Sequence, residues 1–175
     1  MFTSSEEIRL GSKLDQCRYL HAVAEETLRM SPSLPGLLPR SVLAGGIRVA
    51  DRHFPAGVEL GVPIYAIHRN ENYFPSPEEY RPERWLEDEN GDGKEGVARA
   101  WSAFHPFSYG ARQCIGKRLA YMEIWIVLAR ALWYFDIELA DGNDIEQIQK
   151  GEYRVWDHLA AARKGPVVKF HLRNS

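Results

Sequence analysis

Apolar side chains recur at Leu14, Cys17, Leu20, Ala24 and Leu28, three or four positions apart, the stepping that places residues on one face of a helix. This spacing predicts a helix from Leu14 to Met30. Tyr19, Ala22, Val23 and Met30 fall on its other side, so the helix is apolar nearly all round and is expected to lie inside the protein. Ser31-Pro32 ends it, because the residue before a proline is pushed out of helical dihedrals. Pro32, Pro35, Gly36 and Pro39 then predict an irregular connection.

From Arg40 to His68 the pattern changes to short β-rich runs. Ile47 to Val49 is one; after the turn Pro55-Ala56-Gly57, alternation at Val58, Leu60, Val62, Ile64 and Ala66 predicts another, with Pro63 marking an edge strand or a bulge. Prolines at 75, 77 and 82 among aromatics and charges predict an ordered coil to Trp85, with at most a short helix near Glu78 to Tyr80. A polar, flexible loop is expected from Glu87 to Gly96. Ile115, Leu119, Met122, Ile126, Ala129 and Trp133 again step by three and four, which predicts a long helix to about Phe135 whose aromatics, Trp125, Trp133, Tyr134 and Phe135, belong to the core. Strands are predicted at Phe135 to Leu139 and Val167 to Leu172. No internal repeat or low-complexity tract interrupts the chain. The fold class is mainly α with small β-sheets (α+β).

Composition narrows the function. Twenty-two basic and 24 acidic side chains give a formal charge of −2, so the chain has no basic field for nucleic acid or anionic lipid. The apolar stretch Leu119 to Phe135 contains Glu123 and Arg130 and is shorter than the roughly 20 residues that cross a bilayer; a buried helix fits it better. The first residues carry no basic region followed by an apolar run, so no signal or anchor is expected. Cys17 and Cys114 form neither a CxxC pair nor a dense framework, which argues against a disulfide scaffold or structural zinc and for a reducing, intracellular setting.

The densest chemistry is Phe107-Ser108-Tyr109-Gly110-Ala111-Arg112-Gln113-Cys114-Ile115-Gly116, immediately before the long helix. Its residue types suit a metal-thiolate site. Cys114 is expected at the helix's first turn, where free N–H groups and the positive end of the helix dipole favour a thiolate. Gly110 allows a tight turn, and Gly116 lets a flat group approach the helix start. Arg112 offers a forked cation for a carboxylate, and Phe107 is expected to cover the sulfur and limit water. A second pair, Glu26 and Arg29, stands three apart on the first helix. Its apolar surroundings predict desolvated charges that need further hydrogen-bonding partners.

Phe107 to Gly116 resembles the heme-binding signature of the cytochrome P-450 family, F-x-x-G-x-R-x-C-x-G, at every defined position; Ala111 stands where the family often has proline. Glu26-Thr27-Leu28-Arg29 resembles the family's E-x-x-R motif, and Arg84 in Pro82-Glu83-Arg84-Trp85 resembles the cation that completes its structural triad. Arg40, in Leu38-Pro39-Arg40, stands where the family often places a second arginine toward a heme propionate. Cys17-Arg18-Tyr19-Leu20 and Tyr65-Ala66-Ile67-His68-Arg69-Asn70 look like fungal members acting in secondary metabolism.

The resemblance implies the C-terminal, proximal part of the P-450 fold, residues 1–175 forming one partial domain. It implies Cys114 as axial ligand of heme iron, with Phe107, Gly110, Arg112, Gly116 and Arg40 around the heme and Glu26, Arg29 and Arg84 as a structural triad. It implies monooxygenation of a small hydrophobic substrate with electrons from a separate reductase, since no G-x-G-x-x-G segment is present, and full-length members are usually anchored to the endoplasmic reticulum. The family's distal oxygen-activating helix has no counterpart in these residues. Two alternatives therefore stay open: a truncated piece of a monooxygenase, or a non-catalytic heme-binding fragment with exposed apolar surface. Other chemistries lack residues they need. Asp88 to Gly93 begins like a calcium loop, but Arg99 stands where a bidentate Glu is required. No histidine signature supports a cysteine protease, and His105 is expected to pack at a loop entrance.

Overall fold

The first predicted helix is present, but broken. The computed structural model describes residues 2–88, 91–143, 155–158 and 160–173. In it α1 (Ser12–Asp15) ends before Cys17 and α2 (Arg18–Met30) begins after it. The break is a tightening of the backbone: the Cys17 amide donates to Leu14 O, and the Arg18 amide to Gln16 O. α2 itself is not apolar all round. Tyr19 is 53% exposed, while the buried side of α2 holds Ala22, Ala24 and Met30 together with Glu25, Glu26 and Arg29. Three charged side chains lie inside because each finds a polar partner there.

Among the described residues four two-stranded antiparallel sheets follow. β1 (Arg40–Ser41) pairs with β4 (Glu59–Leu60), and β2 (Ile47–Val49) with β3 (Arg52–Phe54) in the register Ile47 to Phe54. The alternation that predicted a strand through Ala66 stops at Leu60. Residues Ile64–Ile67 instead form the helical turn α3, with Pro63 as its cap at φ −63°. Period two and period four both place Ile64 and His68 on one side, but a strand would bury Ala66 with them, and Ala66 is exposed, as the helical turn leaves it.

The coil to Trp85 carries its helical turn at Pro82–Trp85, not at Glu78 to Tyr80. The predicted loop up to Gly96 is shorter than expected, because α4 (Gly93–Ala103) starts within it. Gly96, Val97, Ala100 and Ala103 give α4 a buried face at helical spacing; two glycines and an exposed Trp101 obscured it in the sequence. That face covers the aromatic core, where Phe74, Trp85 and Phe104 meet Ala22, Leu86, Ala100 and Ala103.

α5 (Lys117–Tyr134) is the long helix, and β5 (Phe135–Leu139) continues directly from it. β5 pairs with β8 (Val168–Leu172), Phe135 opposite Leu172, while β6 (Val155–His158) pairs with β7 (Ala160–Arg163). α5 is not a buried helix. Only Tyr121 among its residues is buried, and Leu119, Val127, Leu132 and Tyr134 are exposed. It packs along α2 with one side, so the apolar residues on its remaining sides have no cover among the described residues. None of the described helices is long and apolar enough to cross a membrane. Mixed helices and small sheets give the expected α+β class.

Candidate functional site

Glu26 is the centre of a buried polar knot. Arg29 grips its carboxylate with two parallel bonds, Nε to Oε2 and Nη2 to Oε1, both 2.9 Å. Arg84 Nε reaches Oε1 at 3.0 Å, the Arg81 amide the same oxygen at 2.9 Å, and Trp85 Nε1 donates to Oε2 at 3.0 Å. Glu26 and Arg29 are fully buried and Arg84 almost so. Burial alone would raise the Glu26 carboxyl; the Arg29 guanidinium, the Arg81 amide and the Arg84 charge outweigh it and hold the group below the usual carboxylate range. The arginines' remaining donors go to carbonyls, Arg29 to those of His68 and Glu79, Arg84 to those of Pro75, Ser76 and Glu79. One α2 turn thereby fixes the coil from His68 to Trp85.

His68 extends this knot, and sequence reasoning gave it no role. Its Nε2 accepts the amide of His105 at 3.1 Å, so the ring proton sits on Nδ1, which donates to Arg29 O at 3.1 Å. Burial pulls its pKa down to about 4, and a neutral ring is the form that can make both bonds. The ring stacks on Phe104 at 5.3 Å. The sequence signal was slight: His68 stands four residues after Ile64, on the same buried side.

The cysteine loop hangs from this point. The Ser108 amide donates to His105 O at 3.0 Å, and the Cys114 amide closes the loop onto Phe107 O at 2.9 Å. Between them a helical turn, Gly110–Arg112, is entered through Gly110 at φ +77°, where a glycine is the unstrained choice. Cys114 lies ahead of the helix rather than in its first turn. Gly116 is the cap of α5, and Cys114 O accepts the Lys117 amide at 3.3 Å. Gly116 has no side chain to satisfy the first amides of α5, so their partial positive charge still faces the loop.

Cys114 is a free, exposed cysteine. Ile115 beside it is fully exposed and Leu119, one turn into α5, is 57% exposed. A side chain added at Gly116 would meet nothing nearer than Cys114 Sγ at 3.8 Å. Thiol, apolar flank, open glycine and the exposed guanidinium of Arg112 form a donor set that could hold a flat, iron-bearing group with acidic substituents. Phe107 is half-buried with its ring 5.2 Å from that of Tyr121, packed on α5 behind the loop. Arg40 is not tied to this loop by any hydrogen bond among the described residues; its Nη1 donates to the carbonyls of Leu38 and Pro39. Glu25 and Tyr121, also absent from the sequence reading, join α2 to α5 through a 2.9 Å bond from Tyr121 Oη to Glu25 Oε2.

The chain's likeness to known proteins agrees with this geometry. The cytochrome P-450 family model matches residues 11–169. The cytochrome P-450 monooxygenase poxM of Penicillium oxalicum is 43% identical over 97% of this chain and 31% of its own length. The monooxygenase apf8 of Gibberella fujikuroi is 40% identical over 98% of this chain and 48% of its own. The chain thus spans about a third to about a half of the length of these curated relatives. Retinoic acid-bound cyanobacterial CYP120A1 superposes with a TM-score of 0.75 at 26% identity, covering 99% of this chain and 36% of that one. The chain belongs to the cytochrome P-450 family.

Proposed function

We propose that this chain is the thiolate-bearing, proximal part of a heme monooxygenase. Cys114 would ligate the heme iron, Phe107, Gly110 and Gly116 shape the loop and the approach to it, and Arg112 and Arg40 would pair with the acidic substituents of the heme. Glu26, Arg29 and Arg84 hold the core behind the loop. The observation that carries this reading is the exposed Cys114 thiol in a loop tied down at both ends, by the Phe107 carbonyl and by the Lys117 amide.

The chain's own residues perform three tasks in this reading. Backbone hydrogen bonds hold the sulfur at a fixed place, amides at the start of α5 favour its anionic form, and Ile115 and Leu119 present an exposed apolar flank against which a flat apolar group would pack. A bound thiolate-ligated heme would supply the oxygen chemistry. Electrons come from a separate reductase, and the substrate is a small organic molecule of the kind handled in fungal secondary metabolism.

Loading the purified chain with hemin and recording the ferrous–CO spectrum tests the ligation. The expected result is the long-wavelength Soret band of thiolate coordination. A band at the position of histidine or neutral-thiol ligation would overturn it.

A further inference from the structure

Two adjacent glutamates on α2 face opposite ways. Glu26 turns to Arg29 and Arg84, whereas Glu25, also buried, turns to α5 and accepts the Tyr121 hydroxyl at 2.9 Å. Burial pushes the Glu25 carboxyl up to about 7, with the Tyr121 bond and the Lys117 charge pulling the other way. Burial and Glu25 together raise the Tyr121 hydroxyl, which stays a donor. The other polar groups nearby are engaged elsewhere. His21, one turn back, stacks on Trp125 at 4.2 Å and meets Leu14 O at 3.0 Å through Nε2. Arg29, one turn on, is held by Glu26 and two carbonyls.

Both groups on α5 that sense Glu25 lead to Cys114. The Tyr121 ring packs 5.2 Å from that of Phe107, whose carbonyl accepts the Cys114 amide. The Lys117 amide donates to the Cys114 carbonyl. Tyr121 and Lys117 therefore stand behind the two backbone hydrogen bonds that fix Cys114.

We propose that Glu25 and Tyr121 form a buried positioning strut for the cysteine loop, and that gain or loss of the Glu25 proton changes how firmly the loop is held. An ionised Glu25 strengthens the Tyr121 bond and attracts the Lys117 ammonium, because a buried charge recruits whatever donors it can reach. A protonated Glu25 releases Lys117 and leaves an ordinary hydrogen bond to Tyr121. The consequence for the thiolate rests on the heme-ligation reading above; the movement of the loop does not.

The test has two readouts on the full chain. Without heme, hydrogen exchange at the Cys114 amide is followed across neutral pH, with the intrinsic pH dependence divided out. Wild type shows a step in protection near pH 7, Glu25→Gln shows none, and Tyr121→Phe shifts its midpoint. With hemin, the ratio of thiolate to neutral-thiol ferrous–CO bands follows the same step in wild type and is flat in Glu25→Gln. Identical exchange profiles in wild type and Glu25→Gln would overturn the strut. If Glu25→Gln fails to fold, an unmoved midpoint in Tyr121→Phe overturns it equally. An exchange step without a thiolate band at any pH would refute the ligation reading and leave the strut standing; a thiolate band with no step in either readout would do the reverse.

Discussion

His68 and His105 are joined ring to backbone, the His105 amide donating to His68 Nε2 at 3.1 Å, and through this bond the buried knot around Glu26 reaches the cysteine loop. Replacing His68 by Leu keeps an apolar body of similar size but strands the His105 amide and the Arg29 carbonyl. Each stranded group costs about 1–3 kcal/mol. Urea unfolding of His68→Leu is expected to show that loss, together with faster amide exchange at Ser108 and Cys114. Unchanged exchange in a folded variant would show that His68 does not hold the loop.

Stability against pH should be nearly flat between about 4.5 and 6.5, because two buried groups oppose one another there. His68, with its pKa lowered from 6.5 to about 4, binds fewer protons folded than unfolded, so its contribution is lost as pH falls through that window. Glu25, raised from 4.5 to about 7, binds more protons folded, and its contribution is lost as pH rises through the same window. Glu25→Gln is expected to leave stability rising with pH by roughly 1.4 kcal/mol per unit, and His68→Leu to leave it falling at a similar slope. Equal slopes for wild type and both variants would contradict this balance.

Glu26→Gln removes the charge that two buried arginines share. Breaking a buried pair on one side costs about 3–5 kcal/mol, since the other charge stays desolvated. That is a large share of a typical domain's stability. Circular dichroism should show a much lower melting point or an unfolded chain, and a variant within a degree of wild type would refute the knot's importance.

Cys114→Ser should separate ligand from scaffold. The side chain is exposed, so stability is expected to stay within about 0.5 kcal/mol of wild type. The thiolate band of the hemin-loaded chain should vanish. Cys17→Ser, at the break between α1 and α2, should keep it. Retention of the band in Cys114→Ser would remove Cys114 from the site.

Leu119, Val127 and Leu132 on α5, with Leu43 and Val62 near the small sheets, leave apolar side chains in water. Isolated apolar residues are ordinary, but a helix exposing several makes a patch. The chain should bind a hydrophobic dye and self-associate at high concentration. A monodisperse monomer without dye binding would contradict this expectation.

The cysteine loop was legible from residues alone, because its chemistry is packed into ten consecutive positions from Phe107 to Gly116, and the Glu26–Arg29 pair because helical spacing makes them neighbours. α3 and α4 were not. Alternation across Val62, Ile64 and Ala66 suits a strand, and only the tertiary packing, which buries Ile64 and His68 and leaves Val62 and Ala66 exposed, chose the helical turn. α4 hid behind Gly93 and Gly96, whose low helix propensity is outweighed by packing of Val97 and Ala100 on the aromatic core. The buried interior assigned to α5 failed because hydrophobicity says what a surface would prefer to touch, not whether a neighbour covers it.

What the sequence by itself determined is therefore local: the family, the cysteine with its glycines and arginine, the helix pair of charges, and the class of fold. Arg84 was expected beside Glu26 from the family resemblance alone, and the structure brings it there across 58 residues; only the tertiary structure decided that His68 meets His105 across 37 and that Tyr121 meets Glu25 across 96. Spacing along a chain fixes which side chains share a helix face; it says nothing of contacts between elements. Those contacts depend on how separate faces bury one another, and they are what ties the cysteine loop to the core.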